Sequence, residues 1–401
     1  MTDQPMDIFK NLTMVAHEQA TVLPYLTFRL AQDGVQVIRM EHHLFGDPNR
    51  KVGQNALGEE GINTYYLCIN AGKKAVTLNL AEPEGQEIFR SLIQKLEVDI
   101  FATQVLPRNY KKLGIDYETM KSIKPDIIWL GITGFGPDSN EPAYDPILQA
   151  RSGLMDLTGE PEGDPQYMGI PLPDMGTSLH AYALLMKALY KREATGEGDC
   201  INISMFESSI SWLTVPITMA ASFGNVMTRR GNTHPFFSPA SVFKTKDRYV
   251  YIATGNDRQW KSVVSLEPFG SLDKPEYETN EGRNRDVKNL NRAINEITER
   301  FTADELVKMF NAITVPIGRV EPITEVLKDP LVKRRLLYAQ DPISGKKITL
   351  APAPYTTEFL EECDHHLSFP PRHGEHNEEI YGRILGLSNK EIAQLKEKKI
   401  I

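Results

Sequence analysis

Cysteine is scarce in this chain: 401 residues hold three, Cys68, Cys200 and Cys363, far apart. So sparse and odd a set cannot make a disulfide framework, and it points to a reducing compartment, the cytoplasm. Long apolar runs are missing too. The longest, residues 212–223, is broken by Pro216 and falls short of the roughly 20 residues a membrane-spanning helix needs. The opening MTDQPMDIFK carries Asp3 and Asp7 without an apolar core, so it does not read as a signal peptide. Cations are in deficit, 45 Lys+Arg against 53 Asp+Glu, for a net charge of -8. That excludes a general nucleic-acid binder, which needs surplus cations to displace counterions from phosphates. A local basic patch for one phosphorylated ligand is still allowed. Neither a Gly-x-Ser-x-Gly elbow nor a P-loop occurs, so serine-hydrolase and NTPase readings lose support. There is no internal repeat.

What is present is ordinary globular composition, 41% hydrophobic and 24% charged, in a chain long enough for two or three domains. Helical and strand patterns alternate through the first half. Residues 21–33 read as a helix, 35–40 and 75–80 as strands, and Pro83 opens a helix with Ile88, Phe89, Leu92, Ile93 and Leu96 at helical spacing. Residues 99–103 and 126–133 are the next strands. Such units predict an α/β fold, a parallel sheet with helices on both faces. After residue 225 the pattern changes to a hairpin, 242–244 with 249–253, and charged helices such as 302–311. The predicted division is a large domain over 1–224, a smaller α+β domain over 225–325, and a segment 326–401 that returns to the large domain, ending in helices from Asn377 and Asn389.

The segment Gly169-Ile-Pro-Leu-Pro-Asp174 carries the most chemistry. Two prolines impose an extended entry, and Leu179, Tyr182, Met186 and Leu189 then mark a helix face. Asp174 is thus expected at or beside the helix N-cap, a position Asp favours for structural reasons alone. Helix amides that keep a partly desolvated carboxylate ionised would equally make it a nucleophile. Gly131-Ile-Thr-Gly134-Phe-Gly136 follows a strand without Rossmann spacing and reads as a strand-end turn. Lys73-Lys74 and Arg108 with Lys111-Lys112 lie beside predicted strand ends, where open α/β sheets place ligands. Cys363, His365, His366, His373 and His376 cluster in the tail but lack the paired spacing of a zinc site, so no metal is expected. His17, His180 and His234 are isolated and read as structural.

Together these residues resemble class III CoA-transferases, the group of formyl-CoA and carnitine CoA-transferases. The pieces run in shared order along the chain: Gln36-Val-Ile-Arg-Met-Glu41, Gly46-Asp-Pro-Asn-Arg50, Asn70-Ala-Gly-Lys-Lys-Ala-Val-Thr-Leu78, Glu82-Pro-Glu-Gly85, Gly131–Gly136, Tyr144-Asp145, Gln149-Ala-Arg-Ser-Gly153, the Asp174 segment, Gly196-Glu-Gly198, Gly255-Asn-Asp-Arg-Gln-Trp260, Val315-Pro-Ile-Gly318 and Gly374-Glu-His376. The resemblance implies a Rossmann-like large domain, a small domain, and two chains interlocked as a homodimer or a heterodimer of related chains. It implies coenzyme A as a substrate, with Asp174 as nucleophile. CoA contacts map onto Arg39, Lys73, Gln104, Val105 and Lys112, joined from the residue reading by Lys74 and Arg108. Tyr144 and a covering loop with Gly255, Asn256 and Gln259 would meet the substrate. The chain departs from the family at Val22-Leu23-Pro24, at Thr21, close to where formyl-CoA transferases often carry a glutamine, and at Gln104-Val105, where the adenine-binding Asn-Phe pair is absent.

The implied reaction moves CoA from an acyl-CoA to a free carboxylate through an aspartyl anhydride and an enzyme-CoA thioester. Arg151 suggests a dicarboxylate, succinyl-CoA with a substituted succinate such as benzylsuccinate, unless it pairs with Asp145 or Asp156. Two other readings stand beside this one: a non-catalytic partner subunit, and an acyl-CoA racemase, against which Tyr144 replaces the racemase histidine.

Overall fold

The computed structural model describes residues 9–401; the opening segment with Asp3 and Asp7 lies outside the described residues. The chain divides into two compact units. The first takes in the chain to Ser152, Met168–Ala221 and Leu331–Ile401; the second is Gly153–Tyr167 with Ser222–Pro330. The segment Gly153–Tyr167 thus groups with the smaller unit, although the boundaries read from sequence left it in the larger one.

The first unit is built on six strands: β1 (Thr13–His17), β2 (Gln36–Glu41), β3 (Lys73–Thr77), β4 (Ile100–Thr103), β5 (Ile128–Thr133) and β6 (Asp199–Ser204). Every neighbouring pair is parallel, in the order β3-β2-β1-β4-β5-β6. This is the doubly wound Rossmann order, whose direction of winding reverses between β1 and β4. Strands buried on both faces carry near-continuous apolar residues, as Ile128–Thr133 does. Alternation then sends neighbours to opposite cores. Val15, Ile38 and Val76 pack with Phe89, Leu92 and Ile93 of the helix Pro83–Lys95. Met14, Ala16 and Val37 pack with Leu23, Leu26 and Leu30 of the helix Val22–Gln32, and with Ala181 and Leu185 of the long helix Leu172–Thr195.

Of the large apolar residues that mark a face of the long helix, Tyr182, Met186 and Leu189 pack against the core only partly buried, and smaller residues lie deeper. Thr177, Ser178, Ala181, Leu185 and Ala188 are buried, whereas Leu179 is 49% exposed. Small residues let backbones approach, and the Ser178 hydroxyl donates across the helix pair to the Val22 carbonyl at 2.5 Å. Gly176 makes room for the Trp212 ring: a Cβ there would lie 2.1 Å from Trp212 Cζ2.

The second unit holds the antiparallel strands β7 (Ala240–Lys244), β8 (Tyr249–Ala253) and β9 (Ile317–Arg319). The helices Asp257–Val264, Val287–Thr298 and Ala303–Ala312 contribute to its core of Trp260, Phe269, Leu290 and Phe310. Arg229 pairs with Asp156 at 2.6 Å, tying in the segment 153–167. The chain then returns to the first unit with the hairpin β10 (Leu337–Gln340) and β11 (Lys347–Leu350). The helix expected from Asn377 is π-wound over Glu378–Ile384, and a last helix spans Asn389–Glu397.

Candidate active site

A cavity opens at the carboxyl ends of β1, β4 and β5, at the switch point where doubly wound sheets bind ligands. Its lining includes Thr21, Gln104, Val105, Gly134, Tyr144 and Asp174. Each strand end is shaped locally. Ala20 takes a left-handed φ of 57°, a conformation costing of order 1 kcal/mol outside glycine. It is held by Asp47, which accepts its N–H at 2.9 Å, and by Asn49, which donates to its carbonyl at 2.7 Å. After β5, Thr133 Oγ1 accepts the Gly136 N–H at 3.0 Å. The glycine cluster is the strand-end turn read from sequence, and its Gly134 also walls the cavity. A Cβ on Gly134 would sit 2.5 Å from that of Ala143.

Asp174 is the third residue of the long helix, whose N-cap is Pro171 without a side-chain cap. It is therefore not the cap. Its carboxylate accepts no hydrogen bond among the described residues. Its N–H instead donates to Asp145 Oδ2 at 3.2 Å, so a carboxylate from the helix Asp145–Arg151 serves the helix start. The expectation that amides keep Asp174 ionised is corrected as well. Burial and the neighbouring Asp145 push its pKa up to about 7. Burial also raises Asp145, against the bonds it accepts from the Asp174 amide and from Gln149. Two carboxyl groups thus share one partly dry corner.

The cations sort into two sets. Arg39 and Lys73 have no exposed side-chain surface and face protein carboxylates. Lys73 Nζ lies 3.0 Å from Glu18 Oε1, and Arg39 lies 2.8 Å from Asp47 Oδ2 and 3.3 Å from Glu41 Oε1. Glu41 is held at about 2 by Arg39 and Arg50 against its burial; burial pulls Lys73 down to about 8. Arg39 and Lys73, expected as CoA contacts, are thus enclosed in a buried ion cluster. Lys74 pairs with Glu379 at 2.9 Å. Arg108, Lys111 and Lys112 are exposed and meet no carboxylate among the described residues. They lie on the short helical turns Pro107–Asn109 and Tyr110–Leu113, just beyond the cavity-lining Gln104–Leu106.

Gln104, Val105 and Tyr144 are brought to Asp174's cavity, and Gln104 Oε1 is buried without a partner among the described residues. Arg151 is absent from the lining. It pairs with Glu141 and stacks 4.1 Å over Phe135, so neither Asp145 nor Asp156 is its partner. Gly255, Asn256 and Gln259 lie in the second unit. There Asn256 caps the helix Asp257–Val264 through the Gln259 N–H at 2.9 Å, and Gln259 Oε1 accepts the Gly255 N–H at 2.8 Å. Of the tail histidines, His373 and His376 are individually engaged. His373 Nε2 sits 3.0 Å from the His42 carbonyl, and His376 Nδ1 accepts the Ala75 N–H at 3.1 Å. No group of three metal-ligating side chains occurs among the described residues. Sequence reasoning missed Gln149 and Glu141; the i,i+4 spacing of Asp145 and Gln149 was the available signal for the first.

Residues 9–377 match the profile of CoA-transferase family III. Human succinyl-CoA:glutarate CoA-transferase is 30% identical over 382 residues, 93% of this chain and 85% of that protein. Succinate–glutarate CoA-transferase of Agrobacterium fabrum is 29% identical, covering 92% of this chain and 94% of its own. A CaiB/BaiF family protein from Brucella suis superposes with a TM-score of 0.80 at 29% identity, over 93% of this chain and 98% of that one.

Proposed function

The chain belongs to CoA-transferase family III, and we propose that it carries CoA from succinyl-CoA to a second dicarboxylate through Asp174. The observation that carries this reading is a half-buried carboxyl at a helix start, facing the switch-point cavity and bonded to nothing else among the described residues. The Asp174 carboxylate attacks the thioester carbonyl, forming a mixed anhydride and releasing CoA thiolate. The thiolate attacks the aspartyl carbonyl, expelling succinate and leaving an aspartyl-CoA thioester. The acceptor carboxylate attacks that carbonyl and again frees the thiolate. Attack of the thiolate on the acceptor's acyl carbon gives the new CoA ester and restores Asp174. No water enters, so the thioester's energy is conserved.

Arg108, Lys111 and Lys112, uncommitted beside Gln104–Leu106, suit the phosphates of CoA. The dicarboxylate assignment rests on the relatives that act on succinate and glutarate rather than on Arg151, whose guanidinium is occupied by Glu141. Glutarate is the first acceptor to test and benzylsuccinate the first substituted succinate. The cavity lining includes no histidine, which leaves the racemase reading without its imidazole base.

Incubation with succinyl-CoA followed by hydroxylamine or borohydride trapping should modify Asp174, seen by peptide mass spectrometry. Asp174→Asn should fold and lose transfer. Wild-type turnover in that variant, or an adduct on another residue, would overturn the assignment.

A further inference from the structure

We propose that Gln149, acting through Asp145, is a positioning residue that pins Asp174 at the cavity and holds one fixed negative charge against it. This rests on Asp174 being the nucleophile.

The entry to the long helix cannot fasten itself. Pro171 and Pro173 have no N–H, and no side chain caps Pro171. The fastening comes from the helix Asp145–Arg151. Gln149 is fully buried, and its Nε2 donates to Asp145 Oδ1 at 2.6 Å and to the Ile170 carbonyl at 3.4 Å. Its Oε1 accepts the Met168 N–H at 3.0 Å. Asp145, 5% exposed, uses its other oxygen for the Asp174 N–H. An amide suits this, because it both donates and accepts and so binds a carboxylate and an N–H together. Gln149 is not part of the cavity lining.

The charge on Asp145 has a chemical use. It opposes the free Asp174 carboxylate, but not the anhydride or the thioester, in which that charge has gone. Repulsion present only before attack raises the nucleophile's ground state and favours the covalent enzyme. Other charged groups lie on the packed elements and the rim. Glu141 on the rim is paired with Arg151, and Asp199 on β6 pairs with Lys191 near the far end of the long helix. The helix Val22–Gln32 brings Arg29, which bonds Gln32, and the helix Met205–Ser211 brings Glu207. Asp145 is the charged neighbour that moves Asp174.

The test uses the full chain with succinyl-CoA, reading trapped aspartyl adduct against pH beside kcat, KM and thermal melting. Asp145→Asn should move the acid limb of adduct formation down by at least half a pH unit and lower the adduct fraction at equilibrium. Gln149→Met should cut kcat at least tenfold with KM for the CoA ester within twofold. An unmoved limb in Asp145→Asn, or Gln149→Met that loses melting temperature but keeps kcat, would overturn the proposal. Should either variant fail to fold, Asp145→Glu decides: the limb stays at the wild-type pH while the rate falls, and a shifted limb refutes the charge role. If wild-type protein forms no adduct, the transferase reading fails instead. The 13C titration of the Asp174 carboxyl in wild type and Asp145→Asn then still tests the pair.

Discussion

Ionised Asp174 works against the fold. Its folded pKa, about 7, lies above the usual carboxylate value of 3.8, so the native state holds that proton more tightly than the unfolded chain. The group therefore costs stability above pH 7, and the cost fades as pH falls toward 4. Asp174→Asn should melt higher than wild type at pH 8, with the gap narrowing as pH falls toward 4, as calorimetry would show. Catalysis has the opposite sign: attack needs the carboxylate, so kcat/KM should fall as pH drops below about 7. The lysines separate in the same manner. Lys73→Ala removes one of two buried cations facing Glu18, which keeps Arg39 at 3.7 Å and the Thr27 hydroxyl at 2.6 Å, and should cost about 1–3 kcal/mol of stability, measured by chemical denaturation. Arg108→Ala and Lys112→Ala should melt like wild type and raise KM for succinyl-CoA several-fold, while a pantetheine thioester, lacking the nucleotide, should feel neither change. Sequence alone put Lys73 and Lys112 in one class because both are cations near strand ends. Only the fold reveals that Glu18, from the end of another strand, claims the first.

Among the elements, the long helix limits what periodicity can tell. Its existence and its start near Asp174 were legible, since two prolines and a run of helix formers bracket them. Its buried stripe was not, because pattern reading follows bulky apolar residues, and this stripe is Thr177, Ser178, Ala181, Leu185 and Ala188. Small residues carry little hydrophobic signal but set how near two helices can come. Gly176→Ala should therefore destabilise by about 1–3 kcal/mol, the penalty of overpacking against the Trp212 ring, and denaturant titration would measure it. β1 was likewise overlooked. Five residues, Thr13–His17, make too short an apolar run to stand out, yet this strand lies at the switch point. The candidate site was legible at Asp174 and at Gln104-Val105, where motif order carried it. Gln149 was illegible in that role because a buried amide gives no composition signal.

For the molecule as a whole, α/β class followed from the alternation of elements and the Rossmann-like layout from the family resemblance, while the grouping of residues 153–167 with the smaller unit depended on long-range contacts no local pattern encodes. The first unit leaves Tyr190 78%, Val215 45% and Ile217 43% exposed, and the helix Thr214–Phe223 has no buried residue. The dimer that the family resemblance implies would cover exposed apolar side chains of this kind. The protein should elute at twice its chain mass in light-scattering chromatography, and Tyr190→Lys with Ile217→Lys should shift it toward monomer. The return of the chain has another consequence. β3 lies at the sheet edge, and the groups that close over it include Asn377 Oδ1, accepting the Thr77 N–H at 2.9 Å, and the Ile400 carbonyl, accepting the Asn79 N–H at 2.7 Å. On the ribosome, those partners emerge some 300 residues after β3, a delay of roughly 15–60 s at usual elongation rates. Through that interval the nascent chain presents an open strand edge and half a core, so its yield in the cell depends on what shields that edge while translation finishes.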